Sequence, residues 1–286
     1  MKKIAFYMPK HTPGTDIFGA ATLGFAGKPD SRADACFEFG DMPSGTVLNG
    51  SYEQILSNIP KKNYKAAIVL CGNAGGENDF VRELSKKLGC PIVGGGAAMD
   101  GTVGGLIAGG GEASLFLIDD ENYNVTIKTK NIHEHIIGHC RVDFDEKSPR
   151  IITSIDGEEP RAWLAKTKRG LGLPEDDFEH FTLSDLNGVN AHLSRSGDKI
   201  LSGRDLEHDM IARYVLPSEV YNSVFDFYND SENTIVFGCA GIKGITGEIS
   251  KVDSLGLYMY GEICIAGAGA DFGNLMLSKI TLTKKQ

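Results

Sequence analysis

Cys239, Glu262 and Asp100 are the side chains whose types and surroundings could carry chemistry. Cys239 follows the apolar run 234–238 and precedes Ala240-Gly241. A cysteine at such a strand-to-glycine turn can present its sulfur and nearby N–H groups to a ligand. As a nucleophile it would need a base or a lowered pKa, and as a core residue it is a small hydrophobe. Glu262 lies in Tyr258-Met259-Tyr260-Gly261-Glu262-Ile263. On one strand, the two-residue period would put Tyr258, Tyr260 and Glu262 on one face, where two rings and a carboxylate can hold a cationic or amine-bearing ligand. The plainer alternative is a surface acid with tyrosines beside it. Asp100 follows the glycine-rich stretch containing Gly94, Gly95 and Gly96. Two carboxylates meeting across a cleft could divide acid and base roles, because like charges push their pKa values apart. Asp100 could equally be a polar cap on a turn. Glu112 and Asn274 are further candidates on the same spacing logic.

Other constellations are weaker. His133, His135, His139 and Cys140 form the one metal-like cluster, because H-x-H on a strand turns both rings to one face. A solvated polar connection explains them more simply, so no cofactor is expected, with haem or metal at the three histidines as the alternative. Gly241 to Gly247 with Lys243 is the nearest approach to a phosphate loop, but neither a Walker A motif nor G-x-G-x-x-G between strand and helix occurs. No G-x-S-x-G elbow exists to seat a serine nucleophile.

The elements that must position these residues recur. Stretches beginning at Ser51 and Ser218 both show helical spacing, each followed by a short apolar strand. The separation from Ser51 to Ile68 equals that from Ser218 to Ile235, 17 residues in each case (68 − 51 and 235 − 218). Asp100 to Glu112 and Glu262 to Asn274 are both 12 residues apart (112 − 100 and 274 − 262). The pattern predicts an α/β fold of two pseudo-twofold-related halves, an internal duplication packed around a shared cleft, with halves at 1–150 and 151–286. Within it, residues 66–96 read as strand, helix and strand, with Asn78 as helix cap and Gly89 as terminator. Residues 114–118 and 125–130 read as paired antiparallel strands, and 133–150 as the connection between halves. Asp156-Gly157 is a turn signal, and Pro160 begins a helix that runs to Gly170.

Composition bounds the partners. A net charge of −9 disfavours nucleic acid and anionic membranes. The apolar run 4–8 stops at Pro9, too short for a signal peptide, and no run is long enough to span a membrane. Six cysteines without a CxxC pair read as reduced thiols, so a cytoplasmic location is expected.

Ile235-Val236-Phe237-Gly238-Cys239-Ala240-Gly241 resembles the F-S-C-A-G-R segment of FIST C-terminal domains, and Gly256-Leu257-Tyr258-Met259-Tyr260-Gly261-Glu262-Ile263 resembles their G-F-Y-T-Y-G-E-I segment. Residues 92–100 are similar to the I-G-C-S-T-A-G-E segment of FIST N-terminal domains, and 154–162 to the E-L-D-G-x-P-A stretch between the two. Ile242 stands where the family has Arg, and Met99-Asp100 where it has G-E. The resemblance spans roughly residues 50–286. It implies a sensory module that binds a small ligand such as an amino acid; some bacterial members of the family are linked to haem and nitric oxide. The ligand site it implies comprises Gly94, Gly95, Gly96 and Asp100 from one half, and Cys239, Ala240, Gly241, Tyr258, Tyr260, Glu262 and Asn274 from the other. The alternatives are an enzyme using Cys239 or the Asp100/Glu262 carboxylates, and a protein-interaction module. No signalling output segment is recognisable in these residues, so a separate signalling partner is expected, and a homo-oligomer stays open.

Overall fold

The computed structural model describes residues 4–7, 18–21, 24–25, 36–39, 43–72, 75–97, 102–103, 106–107, 111–247, 249, 252–259, 261–266 and 269–286. Asp100 and Tyr260 lie outside the described residues.

Four short strands come first, β1 (Ile4–Tyr7), β2 (Phe18–Ala21), β3 (Gly24–Phe25) and β4 (Cys36–Phe39). Next, β5 (Gly45–Ser51) leads into α1 (Tyr52–Asn58) through a capping box, in which Ser51 Oγ accepts the Gln54 N–H and Gln54 Oε1 accepts the Ser51 N–H. β6 (Ala66–Cys71) is apolar and buried at every position, as a strand covered on both faces must be. The helix after it, α2 (Glu77–Leu88), is capped by Gly76 rather than by Asn78, whose amide donates to Asp271 Oδ1 and Phe272 O. Gly89 closes this helix as expected, its N–H reaching Ser85 O. β7 (Ile92–Gly96), β8 (Thr102–Val103), β9 (Leu106–Ile107), β10 (Glu112–Ile118) and β11 (Tyr123–Asn131) follow.

A middle segment comprises β12 (His135–Asp145), β13 (Ser148–Ile155), α3 (Pro160–Gly170), β14 (Phe181–Ser184), β15 (Asn190–Ala191), β16 (Leu193–Ser196), β17 (Lys199–Ser202) and β18 (Asp209–Tyr214). The chain ends with α4 (Pro217–Tyr228), β19 (Thr234–Cys239), α5 (Ala240–Thr246), β20 (Leu255–Met259), β21 (Glu262–Ala266), β22 (Gly269–Gly273) and β23 (Met276–Lys284). Among the described residues no helix is long and apolar enough to cross a membrane.

The fold is mixed α/β. Two sheets form its centre, one ordered β22-β21-β7-β6-β10-β5 and the other β11-β23-β19-β20-β3. Alternation along the strands explains how they stack. Ile68 and Leu70 of β6 face Ile235 and Phe237 of β19 in one core, while Val69 and Cys71 turn to a second core under Phe80 and Leu84 of α2. On the far side, Val236 and Tyr258 pack with Val220 and Val224 of α4 and Ile242 of α5. The result is four layers: helices, sheet, sheet, helices. The middle segment forms a seven-stranded sheet, β15-β14-β18-β12-β13-β17-β16, whose core includes Trp163 and Leu164 of α3.

Several expectations need correction. β10 and β11 do not pair with each other: β10 lies between β5 and β6, and β11 pairs with β23 in the other sheet. Residues 133–150 are not a solvated connection, since β12 pairs with both β13 and β18. A division at residue 150 falls within β13 and would cut that hairpin. Tyr258 and Glu262 do not share a strand. Gly261, at φ 84, turns the chain out of the sheet of β20 so that β21 can pair with β7 in the neighbouring sheet. Residues 241–246 form helix α5 rather than a phosphate loop.

Gly94 and Gly95 make the pairing of β21 with β7 sterically possible. A Cβ on Gly94 would lie 1.8 Å from Val69 O, and Gly94 holds φ 149; a Cβ on Gly95 would lie 2.7 Å from Gly261 O. Gly94→Ala is therefore expected to destabilise the fold by about 3 kcal/mol or more, from overpacking and backbone strain together. Urea denaturation measures it, and a loss under about 1 kcal/mol would contradict this account of the crossing.

Candidate functional site

A cavity of about 330 Å³ opens where α2, the β19–α5 junction, the β22–β23 turn and the seven-stranded sheet converge. Cys239, Ala240, Gly241 and Asn274 line it together. The other expected site residues sit elsewhere. Gly94, Gly95 and Gly96 are buried in β7 at the strand crossing and are not among the lining residues. Tyr258 is buried beneath α4 and α5, its ring 6.1 Å from that of Tyr228 and 5.9 Å from the Lys243 ammonium. Glu262 is wholly buried and is not among the lining residues. Glu112 begins β10 and uses its carbonyl to accept the Gly72 N–H at 2.7 Å.

The sequence reading missed Glu77 and Asn78 on the first turn of α2, Arg150 on β13, and His192 between β15 and β16, all of which line the cavity. Gly75-Gly76 after the end of β6 was the available signal for the first two, since the end of β6 corresponds in order to the Cys239 turn. Nothing local marks Arg150 or His192, which reach the site through the fold of the seven-stranded sheet. Apolar lining comes from Met259, Phe272 and Leu275.

Two polar atoms in this wall are buried without a hydrogen-bond partner among the described residues, His192 Nδ1 and Asn274 Oδ1. Burial lowers the His192 pKa, so the ring favours its neutral form. The Asn274 backbone is fixed by its N–H on Asn190 O at 3.1 Å. Arg150 Nε bonds Asp205 Oδ1 at 3.0 Å in a partly exposed pair. Asp271 anchors the wall: its Oδ2 accepts from Arg82 Nη2 at 2.7 Å and from Arg204 Nη2 at 3.0 Å, and its Oδ1 accepts from Asn78. Arg204 is 2 % exposed and also donates to Asp185 Oδ2 at 3.2 Å.

Cys239 is the N-cap residue of α5 and is only partly exposed. The backbone N–H groups of Leu275, Gly241 and Gly261 act to lower its pKa. They do not make it a ready thiolate. Burial, then the Glu262 carboxyl, pushes the thiol up to about 12. Glu262 accepts the Met276 N–H on Oε1, and burial holds its carboxyl well above the usual range.

The histidine cluster does not converge. His133 is buried, with Nε2 2.8 Å from Glu179 O and Nδ1 3.2 Å from Asn190 Nδ2. The Asn190 amide donates to Nδ1, so Nε2 carries the proton and donates to Glu179 O. Burial lowers the His133 pKa to about 4. His135 Nε2 lies 2.8 Å from Glu219 Oε2, with the ring stacked on Tyr214. Among the described residues no group of three or more His, Cys, Asp or Glu side chains could hold a metal ion.

The chain matches no known family model, and no curated protein matches it.

Two outcomes follow from the electrostatics. Cys90 is also partly exposed, and burial raises its thiol to about 11. Iodoacetamide should therefore label Cys239 no faster than Cys90 at pH 7.5, and mass spectrometry of the labelled peptides reads the ratio. Faster labelling of Cys239 would mean an activated thiolate. For Glu262, the folded pKa lies above the unfolded one. Below the unfolded value the carboxyl is protonated in both states; as pH rises past it the unfolded chain ionises first and stability is lost until the folded group ionises. Glu262→Gln should thus lose less stability than the wild type between pH 5 and 8 in urea titrations, whereas parallel pH profiles would mean that Glu262 ionises normally.

Proposed function

We propose that this chain is a FIST-type small-molecule-binding module whose ligand, an amino acid or related polar metabolite, occupies the cavity at Cys239. The observation that carries the reading is the pair of buried, unpartnered atoms in one wall, His192 Nδ1 and Asn274 Oδ1. A buried polar atom without a partner costs about 1–3 kcal/mol, and a ligand that bonds it removes the penalty. Glu77 and Arg150 line the same space, so it offers opposite charges to a ligand bearing both an ammonium and a carboxylate. The volume of about 330 Å³ suits a ligand of metabolite size.

Element order supports an internal duplication as part of this reading. In each half a helix precedes a strand, helix and parallel strand (α1-β6-α2-β7 and α4-β19-α5-β20), and a later strand returns antiparallel to the first strand of the unit, β10 to β6 and β23 to β19. A sensory role in the cytoplasm with a separate signalling partner completes the proposal. The enzyme alternative would use Cys239, and its raised thiol pKa weighs against a resting nucleophile.

Native mass spectrometry of freshly purified protein, followed by denaturing release, should yield a bound small molecule. Glu77→Gln should weaken an amine-bearing ligand by about 1.5–3 kcal/mol, and Asn274→Ala should weaken it by about 1 kcal/mol. Affinity unchanged in both variants would remove the ligand from this cavity.

A further inference from the structure

The cavity at Cys239 differs in charge between its depth and its mouth. Glu77 is 3 % exposed, whereas the Arg150 side chain is 43 % exposed. Among the described residues these are the acid and the base that line it. On the buried side, Glu77 Oε1 accepts the Gly75 N–H at 2.7 Å, which fixes the carboxylate and leaves it further lone pairs. His192 Nδ1 and Asn274 Oδ1 are the other buried acceptors in the wall. At the mouth, Arg150 Nε donates to Asp205 Oδ1 at 3.0 Å, and neither η nitrogen bonds another described residue. A guanidinium is planar, so a partner on Nε leaves the Nη1–Nη2 edge for a second carboxylate, held through two parallel N–H bonds. Backbone contacts support that geometry. The Leu206 N–H reaches Pro149 O at 3.4 Å, joining the chain neighbours of Asp205 and Arg150, and Arg204 before Asp205 is anchored on Asp185 and Asp271. An exposed ion pair of this kind adds little stability, so its effect is to orient the fork.

We propose that the ligand is an α-amino acid with an uncharged, apolar side chain, bound with its ammonium on the buried acceptors and its carboxylate on the free edge of Arg150, and that Asp205 is a positioning residue for that guanidinium. The inference rests on the ligand-binding reading above and names its ligand class and orientation. An ammonium has three N–H donors, and Glu77, His192 Nδ1 and Asn274 Oδ1 offer an acceptor to each. His192 accepts on Nδ1 when its proton is on Nε2. Once the α-groups engage Glu77 and Arg150, no opposite charge is left in the lining for a charged ligand side chain, and burying one unpaired is costly. Met259, Phe272 and Leu275 offer an apolar side chain a matching surface.

Calorimetric titration of the full chain tests this with L-leucine, L-methionine, L-phenylalanine, L-lysine and L-glutamate, and with the amide and N-acetyl forms of whichever apolar amino acid binds most tightly. The amide keeps the ammonium and lacks the carboxylate; the N-acetyl form does the reverse. Each blocked form should bind at least about tenfold more weakly than the free amino acid, the scale of one lost charged hydrogen bond. Lysine and glutamate should also bind at least about tenfold more weakly than the best apolar amino acid. Arg150→Met and Asp205→Ala should weaken the free amino acid and leave its amide unaffected, so the preference for a free carboxylate shrinks. A merely structural role for Asp205 would weaken both ligands alike. An amide that binds as tightly as the free amino acid, or a preference that survives Arg150→Met, overturns the orientation while the ligand-binding reading stands. Tighter binding of lysine or glutamate overturns the apolar class. Absence of binding by all of these probes overturns the inference as a whole, and the molecule released in native mass spectrometry then decides separately whether the cavity holds another metabolite.

Discussion

The pairing of β21 with β7 is the constraint on which the rest of the molecule depends. Each central sheet is built mainly from one part of the chain, yet Glu262 and Ile263 pair with Gly95 and Gly94 in the other part's sheet. Two strands approach this closely only because no side chain intervenes, so the glycines of β7 act as spacers rather than as ligand contacts. The crossing ties the two sheets together at one end. It also forces the chain to turn at Gly261, which carries Glu262 away from Tyr258 into the neighbouring sheet. The burial of Glu262 is thus a consequence of how the strands are exchanged.

A second constraint fixes the opposite wall of the cavity. Asp271 gathers Arg82 and Asn78 from α2 and Arg204 from the turn after β17, while Arg204 reaches on to Asp185. Burying such charges is not a general source of stability, since desolvation offsets much of the attraction. Its effect is geometric. Loss of one partner would leave a buried charge uncompensated, at about 3–5 kcal/mol, so the seven-stranded sheet is held in one register against α2. That register brings Arg150 and His192 to face Glu77 and Cys239.

Local pattern made much of the secondary structure legible. Uniform burial of 66–71, the helix ending at Gly89, the Asp156-Gly157 turn and the helix begun by Pro160 all follow from short-range chemistry. Long-range pairing was not legible. Residues 114–118 and 125–130 look like a hairpin because adjacent strands usually pair, but each finds a partner far along the chain. Asn78 looks like a helix cap until Asp271, 193 residues away, claims its amide. The site was half legible for the same reason. Cys239, Ala240, Gly241 and Asn274 lie at strand ends, where a turn signals exposure to a cleft; Arg150 and His192 have no such mark.

What the cavity can do follows from where its charges stand. A catalytic cysteine needs a thiolate, which a neighbouring cation or a low-pKa partner supplies. Here burial, then the Glu262 carboxyl, raises the sulfur rather than lowering it. Backbone N–H groups do not reverse that balance, because burial is the largest influence on the thiol. The polar atoms left open at His192 Nδ1 and Asn274 Oδ1 line the same cavity as the oppositely charged Glu77 and Arg150. The raised thiol and the unpartnered polar atoms are the grounds on which the proposed binding reading is preferred to a covalent one.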